Sequence, residues 1–344
     1  MVTSGISDRA HFVPGTWNIR ACSTCASGWL DPQPIAEDIA LCYTGDYYTK
    51  EADHGPQPEG FLQPGRTNDL RRLILNARFG YALPAPSFPG AKMVGRILGA
   101  LPAVRYRIAY RKDAAILPWA ACGKLLDIGC GGGHYLALAR SLGWDAHGLD
   151  PDPEAAERAR RRSGAVVEVG TLETTSYPPG SFDAVVSLHA IEHTTDPAAF
   201  LRAAVRLLKP GGIFYLQTPN FASFARRQLG ADWFPLEVPR HLCMLSPPAM
   251  RRLLREAGSW QQLSVRSLPR RAAADRRLAV AVRRSGRFDA PIALSTTEKR
   301  AVAVWSAIEH AGNKLLRWGA EIEVIGRTAD RHMERRDAHA DRAA

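Results

Sequence analysis

The sequence predicts an α/β fold, a doubly wound and mostly parallel sheet of seven strands preceded by a helical and loop-rich appendage. Three observations carry this. An apolar stretch at 124–128 runs into a turn with glycine at Gly129, Gly131 and Gly133, and a helical pattern begins near His134. A second apolar stretch, 146–149, follows that helix and ends in Asp150. Beyond it, strand and helix patterns keep alternating, as parallel strands joined by helical crossovers do.

Taken in order, residues 1–55 form an N-terminal segment. Residues 56–118 read as helix and loop, a linker or lid punctuated by Pro84, Pro86, Pro89 and Pro102. The core covers 119–328. Its strands are expected at 124–128, 146–149, 166–169, 182–187 and 213–218, with two later ones at 262–267 and 321–326. Asp196-Pro197 reads as a helix N-cap and first helical residue. An insertion at about 268–318 holds an arginine-rich stretch and a helix near 297–318, and is placed to cap a substrate site. The polar, charge-mixed tail at 329–344 reads as disordered. No internal repeat is visible.

The chain has 344 residues and a formal charge of +11, with arginine well ahead of lysine. No apolar run is long enough to span a bilayer. The N-terminus lacks the basic-then-apolar pattern of a secretory signal. Six scattered cysteines, Cys22, Cys25, Cys42, Cys122, Cys130 and Cys243, form no disulfide framework. A cytoplasmic protein is the expectation. Arg270, Arg271, Arg276, Arg277, Arg283, Arg284 and Arg287 fall in one short stretch opposed by Asp275 alone. Such a run is ordinarily a solvated face. The alternative is a surface for anions, either phospholipid headgroups or a diphosphate-linked glycan carrier. Aromatic residues are not interleaved with these arginines, which disfavours single-stranded nucleic acid.

The glycine turn is the informative motif. A strand feeding a glycine-rich turn into a helix N-terminus brings bare backbone against a nucleotide-like ligand. Dinucleotide sites read G-x-G-x-x-G. Here the run is D-x-G-x-G-x-G, with Asp127 before the glycines. That carboxylate suits the amino group of methionine better than a pyrophosphate. Asp150, at the tip of the second strand, is placed to accept both hydroxyl hydrogens of a ribose. The spacing therefore points to S-adenosylmethionine (SAM).

The stretch 125–258 resembles the class I SAM-dependent methyltransferases. It is similar to the subgroup acting on small molecules and glycan precursors and to the ubiquinone-type O-methyltransferases. The matching blocks are Leu-Leu-Asp-Ile-Gly-Cys-Gly (125–131), Gly-Trp-Asp-Ala-His-Gly-Leu-Asp-Pro (143–151), Gly-Ser-Phe-Asp-Ala-Val-Val-Ser (180–187), Ile-Glu-His (191–193), Leu-Lys-Pro-Gly-Gly (208–212) and Gln-Thr-Pro-Asn (217–220). The resemblance implies a Rossmann-like sheet closed by an antiparallel hairpin, which 262–267 and 321–326 would supply. It implies that amides of Gly129, Cys130 and Gly131 line the methionine end, that Asp127 faces the amino group and that Asp150 takes the ribose. Thr171 and Leu172, after Gly170, would meet adenine, and Leu188 would lie near the sulfonium. For Leu172 and Leu188 plain core packing is an equal reading.

Methyl transfer is an in-line displacement, so the enzyme mainly aligns the nucleophile and excludes water. A hydroxyl acceptor also needs a base. In Leu188-His189-Ala190-Ile191-Glu192-His193, His193 is the expected base and His189 the second candidate. A metal reading competes. In some relatives a Glu-His pair here and a later histidine hold a divalent ion that gathers the substrate's oxygens. Glu192, His193 and His241, the last in Pro239-Arg240-His241-Leu242, match that set. Against it, position 190 is Ala where the best-defined metal relatives place a carboxylate nearby. Purely structural roles, Glu192 capping amides and His241 ordering a loop, are the third reading.

Cys22-x-x-Cys25, with Leu30-Asp31-Pro32 and Tyr43-Thr44-Gly45-Asp46-Tyr47-Tyr48, resembles the second knuckle of a small zinc ribbon found in relatives. No cysteine precedes Cys22, and zinc wants four ligands. Cys42 and His54 would complete a set only at an unfamiliar spacing. Bound zinc is therefore not expected, and either a degenerate ribbon or a chain start assigned too late in the gene explains the pattern. The expected activity is methyl transfer from SAM to a small-molecule or glycan/lipid-linked acceptor at a hydroxyl, with N- and C-methylation open. A NAD-binding oxidoreductase and a non-catalytic scaffold on the same sheet are the alternatives.

Overall fold

The computed structural model describes residues 2–43, 65–101, 104, 110–111, 114–117, 123–269, 271–288 and 290–330. Residues 44–48, His54, Pro102, Cys122, Arg270 and the tail beyond 330 lie outside the described residues. In chain order the main elements begin with β1 (Val2–Ile6), β2 (Trp17–Ala21), β3 (Gly28–Asp31), α1 (Arg66–Ile74) and α2 (Ala91–Ala100). Next come β4 (Lys124–Ile128), α3 (His134–Ser141), β5 (Asp145–Asp150), α4 (Pro153–Ser163), β6 (Val166–Val169), β7 (Phe182–Leu188) and α5 (Pro197–Arg206). The chain continues through β8 (Leu208–Pro219), α6 (Phe224–Leu229), β9 (Cys243–Met244), α7 (Pro247–Ala257), β10 (Trp260–Leu268), α8 (Ala272–Ser285), α9 (Thr296–Leu316) and β11 (Glu321–Thr328). The sequence reading is met by a mostly parallel seven-stranded sheet with helical connections.

The chain divides into two compact units, 49–188 with 207–212, and 1–48 with 189–206 and 213–344. In the first, the strand order is β7-β4-β5-β6, all parallel. The chain moves from β4 to β5 on one side and returns to β7 on the other. The order thus reverses at β4, and a crevice opens beyond the carboxyl ends of the strands at such a point. Leu125, Leu126, Ala184, Val185 and Val186 are fully buried, so these strands are apolar on both faces as a covered parallel sheet requires. Asp152 caps α4 by accepting from the Glu154 amide at 2.9 Å, with Pro153 as its first residue and Gly164 closing it in the left-handed conformation.

In the second unit β8 pairs antiparallel with β11 and β11 antiparallel with β10. These are the expected closing strands. The strand expected at 213–218 begins earlier, at Leu208, because the Leu-Lys-Pro-Gly-Gly segment is itself extended. A second, antiparallel sheet runs β1-β2-β3-β9. The sequence reading assigned no strands there. Their apolar alternation is too short to stand out: β1, β2 and β3 each turn one large apolar residue fully inward, Ile6, Ile19 and Leu30, into the cluster of Trp233, Leu236, Leu242 and Met244. A buried ion pair ties this sheet down, with Arg240 donating from both terminal nitrogens to Asp8 at 2.9 Å each. Asp196 caps α5 as expected, accepting from the Ala199 amide at 2.8 Å.

Candidate active site

The glycine turn follows β4 in the first unit. Gly129, Gly131 and Gly133 all take positive φ (71°, 52° and 77°). Their tasks differ. A Cβ on Gly133 would lie 2.7 Å from Ala159 Cα, so this glycine lets the turn approach α4. A Cβ on Gly131 would meet nothing within 4 Å, which leaves open space at the turn. The amides expected to line the ligand are already engaged. Gly129 and Cys130 donate to the Leu149 carbonyl at 2.8 and 3.3 Å. Gly131 donates to Asp150 Oδ2 at 2.8 Å, and the Asp152 amide donates to Asp150 Oδ1 at 3.0 Å. The turn is therefore held by β5 and its terminal acid, and the Asp150 carboxylate is fixed in place by the backbone.

Asp127 is 2% exposed, and its Oδ1 has no hydrogen-bond partner. Burial, and then the Asp150 charge, push its pKa well above the ordinary carboxylate range. A buried carboxylate in that state gains from a cation or a proton. Asp150 is also raised, by burial first, against the two amides that favour its charged form. Burial raises the Cys130 thiol strongly, which keeps it inert. Thr171 is exposed at the start of a turn, its amide donating to Thr174 Oγ1 at 2.9 Å, while Leu172 is buried. Leu188 is partly buried at the end of β7. An orphaned acid beside an open glycine, with a fixed carboxylate at the next strand tip, fits the amino group and ribose of SAM.

The chain passes directly from Leu188 to His189, where the second unit's cluster begins. His189 has φ of 55°, unusual outside glycine, and its amide donates to the Gln217 carbonyl at 2.9 Å. Its ring stands between two carboxylates, Nδ1 3.4 Å from Glu192 Oε1 and Nε2 3.8 Å from Glu321 Oε1. Burial lowers its pKa, but Glu192 and then Glu321 outweigh it, so the net shift is upward. The ring is 31% exposed.

A single helical turn, 191–193, carries Glu192 and His193. Glu192 is buried and accepts from Thr218 Oγ1 at 2.9 Å. Burial opposes its charge, yet His189, His241 and His193 hold its pKa down at about 2. The Leu242 amide donates to the Glu192 carbonyl at 2.8 Å and brings the His241 loop alongside. His241 Nδ1 lies 2.7 Å from the Pro235 carbonyl, and His193 Nδ1 lies 3.2 Å from that of Arg240. A carbonyl only accepts, so both contacts place the proton on Nδ1 and leave Nε2 with its lone pair. Tyr43 Oη lies 2.8 Å from His193 Nδ1. Burial, and then the His241 charge, push His193 down to about 4. Burial lowers His241 as well. Among the described residues, Glu192, His193 and His241 are the one group of three whose ligand atoms converge, within 4.8 Å of one another.

Four predicted residues, His189, Glu192, His193 and His241, thus meet in the second unit, and Asp127, Gly129, Cys130, Gly131 and Asp150 meet in the first. The sequence reading missed Tyr43, Glu237, Thr218 and Glu321. Glu237 lies 3.5 Å from His241 Nε2. Thr218 and Tyr43 fall within stretches singled out in the sequence, the 217–220 block and 43–48, without a role at the site, and Glu321 shows only as an acid alternating with apolar residues in a buried strand. Cys22 and Cys25 sit in the turn between β2 and β3 as free thiols, and Cys22 is lowered mainly by the backbone of Cys25. Most of the arginine run is engaged internally: Arg283 with Asp232, Arg284 with Glu298, Arg271 with Asp275, and Arg276 over the Trp305 ring. Among the described residues, no helix is long and apolar enough to cross a membrane.

A family model described as a methyltransferase domain matches residues 98–259. The chain is 36% identical over 142 residues to a ubiquinone biosynthesis O-methyltransferase of Xanthomonas campestris pv. campestris, across 39% of this chain and 58% of that protein. It is 33% identical over 147 residues to the protein of the same description from Thiobacillus denitrificans, across 39% of this chain and 63% of that one. The chain spans about three-fifths of the length of these curated relatives. A SAM-dependent methyltransferase of Archaeoglobus fulgidus superposes on 60% of this chain and 87% of its own at 19% identity and a TM-score of 0.41. Residues 98–259 match the methyltransferase-domain model, and the strand order and acid-flanked glycine turn within that stretch are those expected of a class I SAM-dependent methyltransferase domain.

Proposed function

We propose that the protein methylates a hydroxyl of a small-molecule acceptor, with SAM as the donor. The observation that carries this is a deprotonated, half-buried His193 beside a buried, ionised Glu192, a few residues past the last strand of the cofactor-binding half. Bound SAM supplies an electrophilic methyl on a sulfonium. Asp127 and Asp150 hold its amino group and ribose, and the open face of Gly131 leaves it room. Leu188, Thr171 and Leu172 contribute contact. The amides of Gly129 and Cys130 act indirectly, by fixing the turn. His193 Nε2 accepts the acceptor's proton, and Glu192 stabilises the imidazolium that results. His189, whose charged form Glu192 and Glu321 favour, orients the acceptor. His193→Ala should lower kcat about 10²- to 10⁴-fold and leave S-adenosylhomocysteine affinity unchanged. Full activity in this variant would remove the assignment.

A second reading is favoured by the convergence of Glu192, His193 and His241. Two imidazoles whose Nδ1 atoms meet carbonyls, with a carboxylate, make a donor set suited to a divalent ion. These three residues would hold it, and it would supply Lewis-acid polarisation of the acceptor oxygen. Chelation separates the readings: activity unchanged by chelator supports His193 as base, and loss restored by added Mg²⁺, Mn²⁺ or Zn²⁺ supports the ion. The ubiquinone-precursor chemistry named for the relatives is the first acceptor class to screen. Glycan- and lipid-linked acceptors come next, with product mass as the readout. A cytoplasmic location is part of the same proposal.

A further inference from the structure

The helix α2 is built inside out. Its inward face carries Gly95 and Gly99. A Cβ on Gly95 would come within 2.4 Å of the Leu73 carbonyl, and one on Gly99 within 2.6 Å of Arg78 Cγ. Glycine therefore permits the close approach to α1 and the turn that follows it. The large apolar residues point the other way. Met93 is 64% and Ile97 60% exposed, and Leu101 and Phe88 are exposed with them. At 3.6 residues per turn, Met93, Ile97 and Leu101 stack along one face. Lys92 and Arg96, both exposed, line one edge of it. Packing among the described residues does not explain this orientation, since burying such side chains is favourable by roughly 1.5–3 kcal/mol each. Among the described residues nothing covers the face.

An exposed apolar stripe bordered by cations is the pattern of a helix lying in a membrane interface, with the apolar side among acyl chains and lysine or arginine at the phosphates. We infer that α2 docks the protein on an anionic lipid surface. The cationic edge selects this occupant, because a second copy would bring Lys92 and Arg96 against their own kind. The basic charge of the whole chain acts in the same direction. The inference does not depend on the acceptor or on His193. It places the contact on α2 and not on the arginine run of α8, whose members mostly have partners within the fold.

The test is co-sedimentation of the full chain with vesicles of phosphatidylcholine alone or mixed with phosphatidylglycerol. The protein should pellet with the mixed vesicles and much less with the neutral ones. Met93→Glu and Ile97→Glu should each weaken partitioning about tenfold or more, with unchanged circular dichroism because both side chains are exposed. Lys92→Glu with Arg96→Glu should remove the preference for anionic vesicles, and Arg277→Glu should change little. Three results would overturn the inference. One is a wild-type chain that does not pellet. The second is apolar variants that bind like wild type. The third is a dimer in sedimentation velocity that Ile97→Glu dissociates, which would assign the face to a second copy.

Discussion

His193 and Glu192 are neighbours in one helical turn, and burial acts on them in opposite chemical senses. It removes the proton from the imidazole, while three nearby histidines keep the carboxylate ionised. A base with its pKa near 4 is already deprotonated at neutral pH. The acid limb of kcat/KM assigned to His193 should therefore fall near 4, well below the 6.5 of an ordinary histidine. A limb near 6.5 would assign proton transfer to another group. The histidines themselves were legible in the sequence, because the Ile-Glu-His and Pro-Arg-His-Leu blocks are local. Tyr43, on His193 Nδ1, was not. It lies 150 positions away, in a stretch whose resemblance gives it no role beside His193.

Among the elements, the glycine turn and α9 make separable predictions. Gly133→Ala drives a Cβ into Ala159 on α4 and should lower the melting temperature clearly, because both atoms belong to backbone-fixed helices. Gly131→Ala meets open space and should cost the fold only the left-handed strain, about 1–2 kcal/mol. Its larger effect should be weaker S-adenosylhomocysteine binding by calorimetry. On α9, Glu309 is fully buried. Its Oε1 accepts from the Ala320 amide at 3.0 Å, while Oε2 has no partner. Burial first, and then Asp275, raise it to about 7, and burial raises Asp275 to about 6. A carboxyl that binds its proton more tightly when folded stabilises fully below its unfolded pKa, and that contribution is lost as pH rises through the folded value. Stability should thus decline between about pH 4.5 and 7. Glu309→Gln should flatten the decline, by up to about 3 kcal/mol, as read by thermal melts across that range. The strands and helices of the core were legible because apolar alternation and glycine punctuation are local signals. This acidic group under α9 was not, since what buries Glu309 is tertiary packing.

For the molecule as a whole, the first 43 residues show where sequence reading stops. Cys22-x-x-Cys25 resembles a degenerate zinc knuckle, and that resemblance does not foretell that β1, β2 and β3 pack on the Trp233 core and are clamped by the buried Asp8–Arg240 pair. Neither partner of that pair looks unusual in the sequence, because the contact joins positions 232 residues apart. The cofactor half is the opposite case, since strand, turn and acid lie within one short stretch. The central claim, that this half binds SAM and not a dinucleotide, is tested most directly by calorimetric titration of the full chain with S-adenosylhomocysteine and, separately, with NADH. Saturable binding of S-adenosylhomocysteine, weakened by Asp150→Ala and without a response to NADH, is the expected result. Tight NADH binding with no S-adenosylhomocysteine response would contradict it.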